Sequence, residues 1–78
     1  MNDLIAADAW LHNVFHSGIS LETCEKRFMM FGLEGNLFIR DQIENEMIPF
    51  AEQHGYFDAV ESYHRILEIL DKCIEKKK

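Results

Sequence analysis

The stretch from Tyr56 to Ile74 constrains the fold of this chain more than any other part of it. Its large apolar residues recur at alternating spacings of four and three: Tyr56, Val60, Tyr63, Leu67, Leu70 and Ile74. This is the pattern of a helix that buries one side. Ala59, Ile66 and Cys73 widen the stripe, and charged residues fill the opposite side. Such a helix needs other helices to cover its apolar side, and the remaining segments are expected to supply them.

Three further segments show helical periodicity. The expected helices run from about residue 2 to 17, from 21 to 31, and from Asn36 across Pro49 to about residue 54. Proline inside a helix removes one backbone hydrogen bond and crowds a carbonyl, so Pro49 either kinks this helix or breaks it. We expect a kinked continuous helix. The sequence therefore predicts an all-α fold, a compact bundle of four helices in one domain over residues 1–78, with a short second helix.

Residues with capping propensity mark the ends of these helices. The expected N-caps are Asn2 or Asp3, Ser20 and Asn36. The expected C-terminal glycines are Gly18, Gly32 and Gly55. Only four glycines and one proline are present, which leaves few sites for hairpin turns and disfavours an all-β fold.

Length and charge limit the classes of function. A chain of 78 residues with 47% hydrophobic residues folds around a modest core, so oligomerisation or a partner often supplies further burial. The net charge of −6 disfavours nonspecific binding to nucleic acid or to anionic membranes. It suits a partner with a basic surface.

Compartment and cysteine chemistry follow from local sequence. The N-terminus has no basic segment before its apolar residues and is interrupted by Asp3 and Asp8, which is unlike a signal peptide. A cytoplasmic protein is therefore expected. Cys24 and Cys73 lie on apolar stripes without zinc-ligand spacing, and we expect two buried free thiols.

A metal site is one hypothesis for the first helix. Asp8, His12 and His16 recur every four residues, and two histidines at that spacing can share a metal ion. The competing interpretation is two solvated histidines, the second near a helix C-terminus that favours its cation. No further ligand motif accompanies them, so we expect no bound metal and no cofactor.

A helix-turn-helix is a second alternative, because 20–48 contains two expected helices joined by a glycine-containing turn. Arg40, Gln42 and Asn45 would contact bases from the second helix. Asp41, Glu44 and Glu46 on the same helix would repel phosphates, so a plain helical hairpin is favoured.

The leading hypothesis rests on apolar residues beyond those needed for one core. Met29, Met30, Leu37, Phe38 and Phe57 lie off the main stripes, and wide stripes in a small bundle are the competing explanation. The sequence contains no nucleophile motif, phosphate loop or paired-carboxylate signature. We therefore expect a non-enzymatic regulator, inhibitor or adaptor that binds another protein and forms a homodimer. The expected binding residues are Phe28, Met29, Met30, Phe31, Leu37 and Phe38, with Asp41, Glu44 and Glu46 facing a basic partner.

Overall fold

The computed structural model describes residues 2–15 and 19–78 and confirms the all-α bundle of four helices. Helix α1 spans Asp3–Asn13 and α2 spans Leu21–Met30. The third helix consists of α3 (Leu33–Gln42), a π-helical segment (Ile43–Met47) and α4 (Ile48–Gln53). Helix α5 spans Phe57–Lys77. The described residues contain no strand, and none of their helices is long and apolar enough to cross a membrane.

Helix α5 forms the centre of the bundle, as its periodicity predicts. It packs against α2, α3 and α4, while α1 packs against α3. Its buried residues are Ile66, Leu67, Leu70, Cys73 and Ile74. The first residue of the predicted stripe differs, because Tyr56 precedes the helix and is exposed. The described residues measure 36 × 21 × 19 Å along their principal axes.

Helix α1 is shorter than expected, and of the apolar stripe Leu4, Ala7, Leu11 and Val14 that its spacing predicts, only Ala7 and Leu11 are buried. Asn2 is its N-cap and accepts a hydrogen bond from the Leu4 N–H at 2.8 Å. Leu4 and Val14 are exposed, whereas Trp10 is buried, because the wide indole packs against Phe15, Phe28 and Phe31. The predicted cap at Gly18 lies outside the described residues.

Pro49 is accommodated inside a continuous third helix, as expected, but through a change of helix type. Residues on both sides of the π-helical segment have right-handed helical dihedral angles. The Ile48 N–H donates to the Ile43 carbonyl, five residues back. A wider turn here relieves the crowding between the Pro49 ring and the Asn45 carbonyl.

The start of the third helix corrects the prediction at Asn36. The helix begins at Leu33 with Gly32 as its N-cap, so Gly32 does not form a left-handed cap for α2. Ser20 does cap α2, accepting from the Thr23 N–H at 3.1 Å. Asn36 lies inside α3 with no exposed surface and donates to the Phe28 carbonyl at 3.1 Å.

Asn36 belongs to a set of contacts that we call the polar junction: Asp3, Gly35, Asn36 and Lys77. The Lys77 ammonium donates to the Phe28 carbonyl and to Asn36 Oδ1, both at 2.7 Å, and to the Phe31 carbonyl. It thereby satisfies carbonyls at the C-terminal end of α2, where a cation is favoured by the helix dipole.

Asp3 satisfies the opposite kind of helix end in the polar junction. Its carboxylate accepts from the Gly32 N–H at 3.0 Å and from the Gly35 N–H, so it caps α3 from another helix. A Cβ at Gly35 would lie 2.6 Å from Asp3 Oδ2. The absence of a side chain at Gly35 therefore lets this carboxylate approach.

Candidate protein-binding surface

The structure leaves part of the predicted binding surface open. Met29 and Met30, at the end of α2, are 60% and 74% exposed, and we call these two residues the methionine face. Leu37 on α3 is exposed, and so are the predicted acids Asp41, Glu44 and Glu46. These side chains are accessible from solvent in the isolated chain, and their role in binding stays a prediction.

Two of the predicted surface anchors lie in the core. Phe28 has no exposed surface and Phe31 is 8% exposed, and both rings pack edge-on against Trp10 in the core. A partner cannot reach them without opening the bundle, so we correct their assignment as surface anchors. Phe38 is half-buried against the same core. The rings of Phe28 and Phe31 face α1, where they cover the apolar surface of the Trp10 indole.

A concave surface lies at the turn between α4 and α5. We call it the aromatic groove. Its volume is about 800 Å³. Eight residues line it: Phe50, Ala51, Gly55, Tyr56, Phe57, Asp58, Ala59 and Tyr63.

The backbone of the turn explains why aromatic rings are exposed here. Gly55 adopts a φ of 73°, a left-handed conformation that favours glycine. The Gly55 N–H donates to the Glu52 carbonyl at 3.2 Å and the Tyr56 N–H to the Ala51 carbonyl at 2.8 Å. This Schellman pair of bonds ends α4 as predicted and reverses the chain. It leaves Tyr56 and Phe57 outside the bundle.

The exposed rings form a connected aromatic surface. Phe50, Tyr56 and Phe57 are 57%, 56% and 69% exposed. The His54 ring lies between two of them, with centroid distances of 4.3 Å to Phe50 and 5.6 Å to Tyr56. Ring packing of this kind fixes side-chain orientation. The groove is thus partly preorganised before any ligand binds.

A second hollow of about 380 Å³ extends the aromatic groove toward α1. Phe50 and Tyr63 line both depressions. The remaining residues of the second hollow are Leu11, His12, Gln42, Glu46 and Met47. The two hollows are therefore adjacent, and we call them together the trough, which residues of α1, the third helix and α5 line.

The carboxylates of this trough are not balanced by Lys or Arg. Asp58 lines the groove and Glu46 lines the second hollow, and no Lys or Arg lines either. Within the described residues, neither carboxylate forms an ion pair. Burial raises the pKa of the Tyr63 hydroxyl above its usual value, so Tyr63 stays neutral in the trough at physiological pH.

The metal hypothesis gains no further ligand from the structure. His12 Nε2 lies 3.0 Å from Asp8 Oδ1, on an exposed part of α1. His16 lies outside the described residues. No group of three or more potential metal ligands occurs among the residues that are described.

The helix-turn-helix alternative meets an electrostatic obstacle at Arg40. Its Nε lies 2.9 Å from Asp71 Oδ1 and 4.0 Å from Glu44 Oε2. Asp41, Glu44 and Glu46 are exposed on the same helix. A DNA phosphate would have to displace Arg40 from two carboxylates in an acidic setting, and DNA binding therefore has little physical support.

Sequence periodicity identified the aromatic groove only in part. The sequence predicts that Phe57 lies outside the core and that Tyr56 lies on the buried stripe. The spacing of Ile39, Ile43, Met47 and Phe50 likewise predicts a buried Phe50 in the third helix. Phe50 and Tyr56 both lie beside the turn at Gly55, where the helix ends and its neighbours no longer cover it. An aromatic residue on each side of a helix-ending glycine was the available signal.

Comparison with known proteins gives no relative from which a function could be transferred. No protein-family model matches the chain, and neither the curated proteins nor the solved structures compared with it give a significant match. A function for this chain therefore has to be argued from its own residues.

Proposed function

We propose that this protein is a small, non-enzymatic protein-binding regulator, inhibitor or adaptor. The observation that supports this proposal best is the exposure of Phe50, Tyr56 and Phe57 in one groove. Contiguous apolar surface in a small domain is typical of an interaction site, whereas single exposed hydrophobic residues are ordinary. Aromatic residues are also enriched among the residues that dominate binding energy.

Covering these rings would supply part of the free energy of binding. Burial of a large apolar side chain contributes about 1.5–3 kcal/mol. Three exposed rings offer several such contributions, against which association has to lose translational, rotational and side-chain entropy. Rings already held by the His54 stacking lose less side-chain entropy when a partner binds.

Self-association through the methionine face is part of the same proposal. Met29 and Met30 are flexible, polarisable side chains suited to an adaptable contact. Neither lines the aromatic groove or the second hollow. A homodimer formed through Met29 and Met30 would therefore leave the groove free for a different protein.

Two matched variants test these roles separately. Met30→Asp and Phe57→Asp each add one charge at an exposed apolar position. Light scattering after size-exclusion chromatography should show a dimer for the wild type and for Phe57→Asp, and a monomer for Met30→Asp. A monomeric wild type would remove the homodimer from the proposal.

The binding role is tested with the same variants as baits in extracts of the native cell. We expect a protein that is retained by the wild type and by Met30→Asp but lost with Phe57→Asp. If neither substitution changes what is retained, a binding function for the exposed apolar surface is wrong.

A further inference from the structure

We propose that the trough formed by the aromatic groove and the second hollow binds a cationic amphipathic helix of another protein. This inference rests on the proposed protein-binding function and specifies the class of partner. Three observations carry it: the exposed rings, the unpaired carboxylates, and the helical walls of the trough.

The exposed rings require an apolar face on the partner. Phe50, Tyr56 and Phe57 are each more than half exposed, and Met47 and Leu11 continue the apolar floor. Aliphatic side chains spaced three and four residues apart on a helix fit such a trough. Aromatic faces also attract Lys and Arg, and cation–π contacts strengthen as water is excluded.

The carboxylates select the charge of that partner. Glu46 and Asp58 line the trough without an ion pair from the described residues, and no Lys or Arg lines it. A helix with Lys or Arg beside its apolar face would pair with both acids. In the trough, a second copy of this chain with a net charge of −6 would face Glu46 and Asp58 with like charge, and it is disfavoured at this site.

The walls of the trough favour a helix over an extended peptide. An extended segment usually adds to the edge of a sheet, where main-chain groups pair with it. The residues that the structure describes form no sheet, so the trough offers no such edge. A helical partner satisfies its own backbone and needs only side-chain contacts.

The probes are two fluorescein-labelled amphipathic peptides with the same leucine face. One carries Lys on its polar face and the other carries Glu. Fluorescence anisotropy at physiological salt should give at least about tenfold tighter binding of the Lys peptide, the factor expected for one or two well-placed charge contacts. Phe57→Ala should weaken binding of the Lys peptide by about fivefold or more, because a central aromatic contact is lost.

The charge contribution is isolated by two substitutions that change the net charge equally. Glu46→Lys lies in the second hollow, whereas Glu68→Lys lies on an exposed position of α5 that lines neither depression. We expect Glu46→Lys to weaken binding of the Lys peptide about fivefold or more and Glu68→Lys less than about twofold, since screening limits distant charges. Equal effects would mean attraction by bulk charge and would overturn the inference.

The remaining outcomes separate this inference from the proposed function. If both peptides bind equally well and both lose affinity with Phe57→Ala, the trough binds an amphipathic helix without selecting its charge. The cationic class of partner is then wrong, whereas the proposed binding function stands. If neither peptide binds in a manner that depends on Phe57, the trough is not a helix site, and the proposed function then depends on the methionine face alone. If the wild type is a dimer that Phe57→Asp dissociates, a second copy occupies the trough and the inference is wrong.

Discussion

The polar junction and the aromatic groove lie at opposite ends of α5. Lys77 in its last turn belongs to the junction, and Phe57 in its first turn lines the groove. At 1.5 Å per residue they are separated by about 30 Å, most of the 36 Å length of the described molecule. One helix thus connects two regions with contrasting chemistry.

At the polar junction, polar groups of two helix ends find partners inside the protein. Asp3 caps α3, Lys77 satisfies carbonyls of α2, and Asn36 bonds to both Phe28 and Lys77. No buried side-chain polar atom among the described residues lacks a partner. At the aromatic groove, large rings remain exposed to water. At the polar junction the polar groups are thus satisfied within the chain, whereas the aromatic groove leaves apolar surface in contact with water.

The largest expected difference in stability is between alanine substitutions at Phe28 and at Phe57. Phe28→Ala should lower the free energy of unfolding by about 3–5 kcal/mol, because the ring is fully buried and leaves a cavity. Phe57→Ala should change it by less than about 1 kcal/mol, because the ring is 69% exposed. Urea unfolding followed by circular dichroism measures both. Equal losses would mean that the groove is part of the core and would break the comparison.

The stability of the protein at alkaline pH should show how well the core shields the Cys24 thiol from water. Burial raises the pKa of the Cys24 thiol from 9.0 to about 11. Below pH 9 the thiol is protonated in both states and its contribution to stability is complete. As the pH rises toward 11, the unfolded chain loses this proton first, so the free energy of unfolding falls by up to about 3 kcal/mol.

The matched variant for this prediction is Cys24→Ala, which keeps the other titrating groups. Urea unfolding at pH 7 and at pH 10.5 should show a smaller alkaline loss for Cys24→Ala than for the wild type. The same loss in both proteins would mean that Cys24 is not shielded in the folded state.

Lys77 of the polar junction should contribute more to the free energy of unfolding than its neighbour Lys76. Lys77→Met removes three hydrogen bonds and should lower the free energy of unfolding by about 2 kcal/mol, as expected for charge-assisted bonds that are partly buried. Lys76→Met makes the same change of charge at an exposed position and should stay within about 0.5 kcal/mol. Thermal unfolding of both variants distinguishes them, and equal transition temperatures would show that the junction does not stabilise this end.

The smallest expected effect concerns the aspartates of α1. Asp3→Ala removes the cap of α3 and should lower the free energy of unfolding by about 1 kcal/mol. Asp8→Ala removes an exposed contact with His12 and should cost about 0.5 kcal/mol or less. Hydrogen exchange should also show faster exchange of the Gly32 and Gly35 amides in Asp3→Ala only. Unchanged exchange would contradict capping across helices.

Local sequence was sufficient to predict the features that depend on helical periodicity and on residues that cap, end or kink helices. The stripe of α5, the cap at Ser20, the turn at Gly55 and the continuity across Pro49 were all predicted, and the structure has them. Glu61 and Arg65, four residues apart on α5, also form the ion pair that this spacing favours, at 2.8 Å. These features depend on residues within four or five positions of each other, so the sequence contains their cause directly.

Only the tertiary structure decided which apolar side chains are covered and which polar ones have partners. Phe28 and Phe50 both lie on apolar stripes, yet one is buried by other helices and the other stands beside a turn where no helix covers it. Asn36 is predicted as a cap, but its side chain is buried and bonds to the partly buried Lys77, 41 positions away. Periodicity determines the face on which a residue lies, whereas the packing of distant segments determines what that face meets.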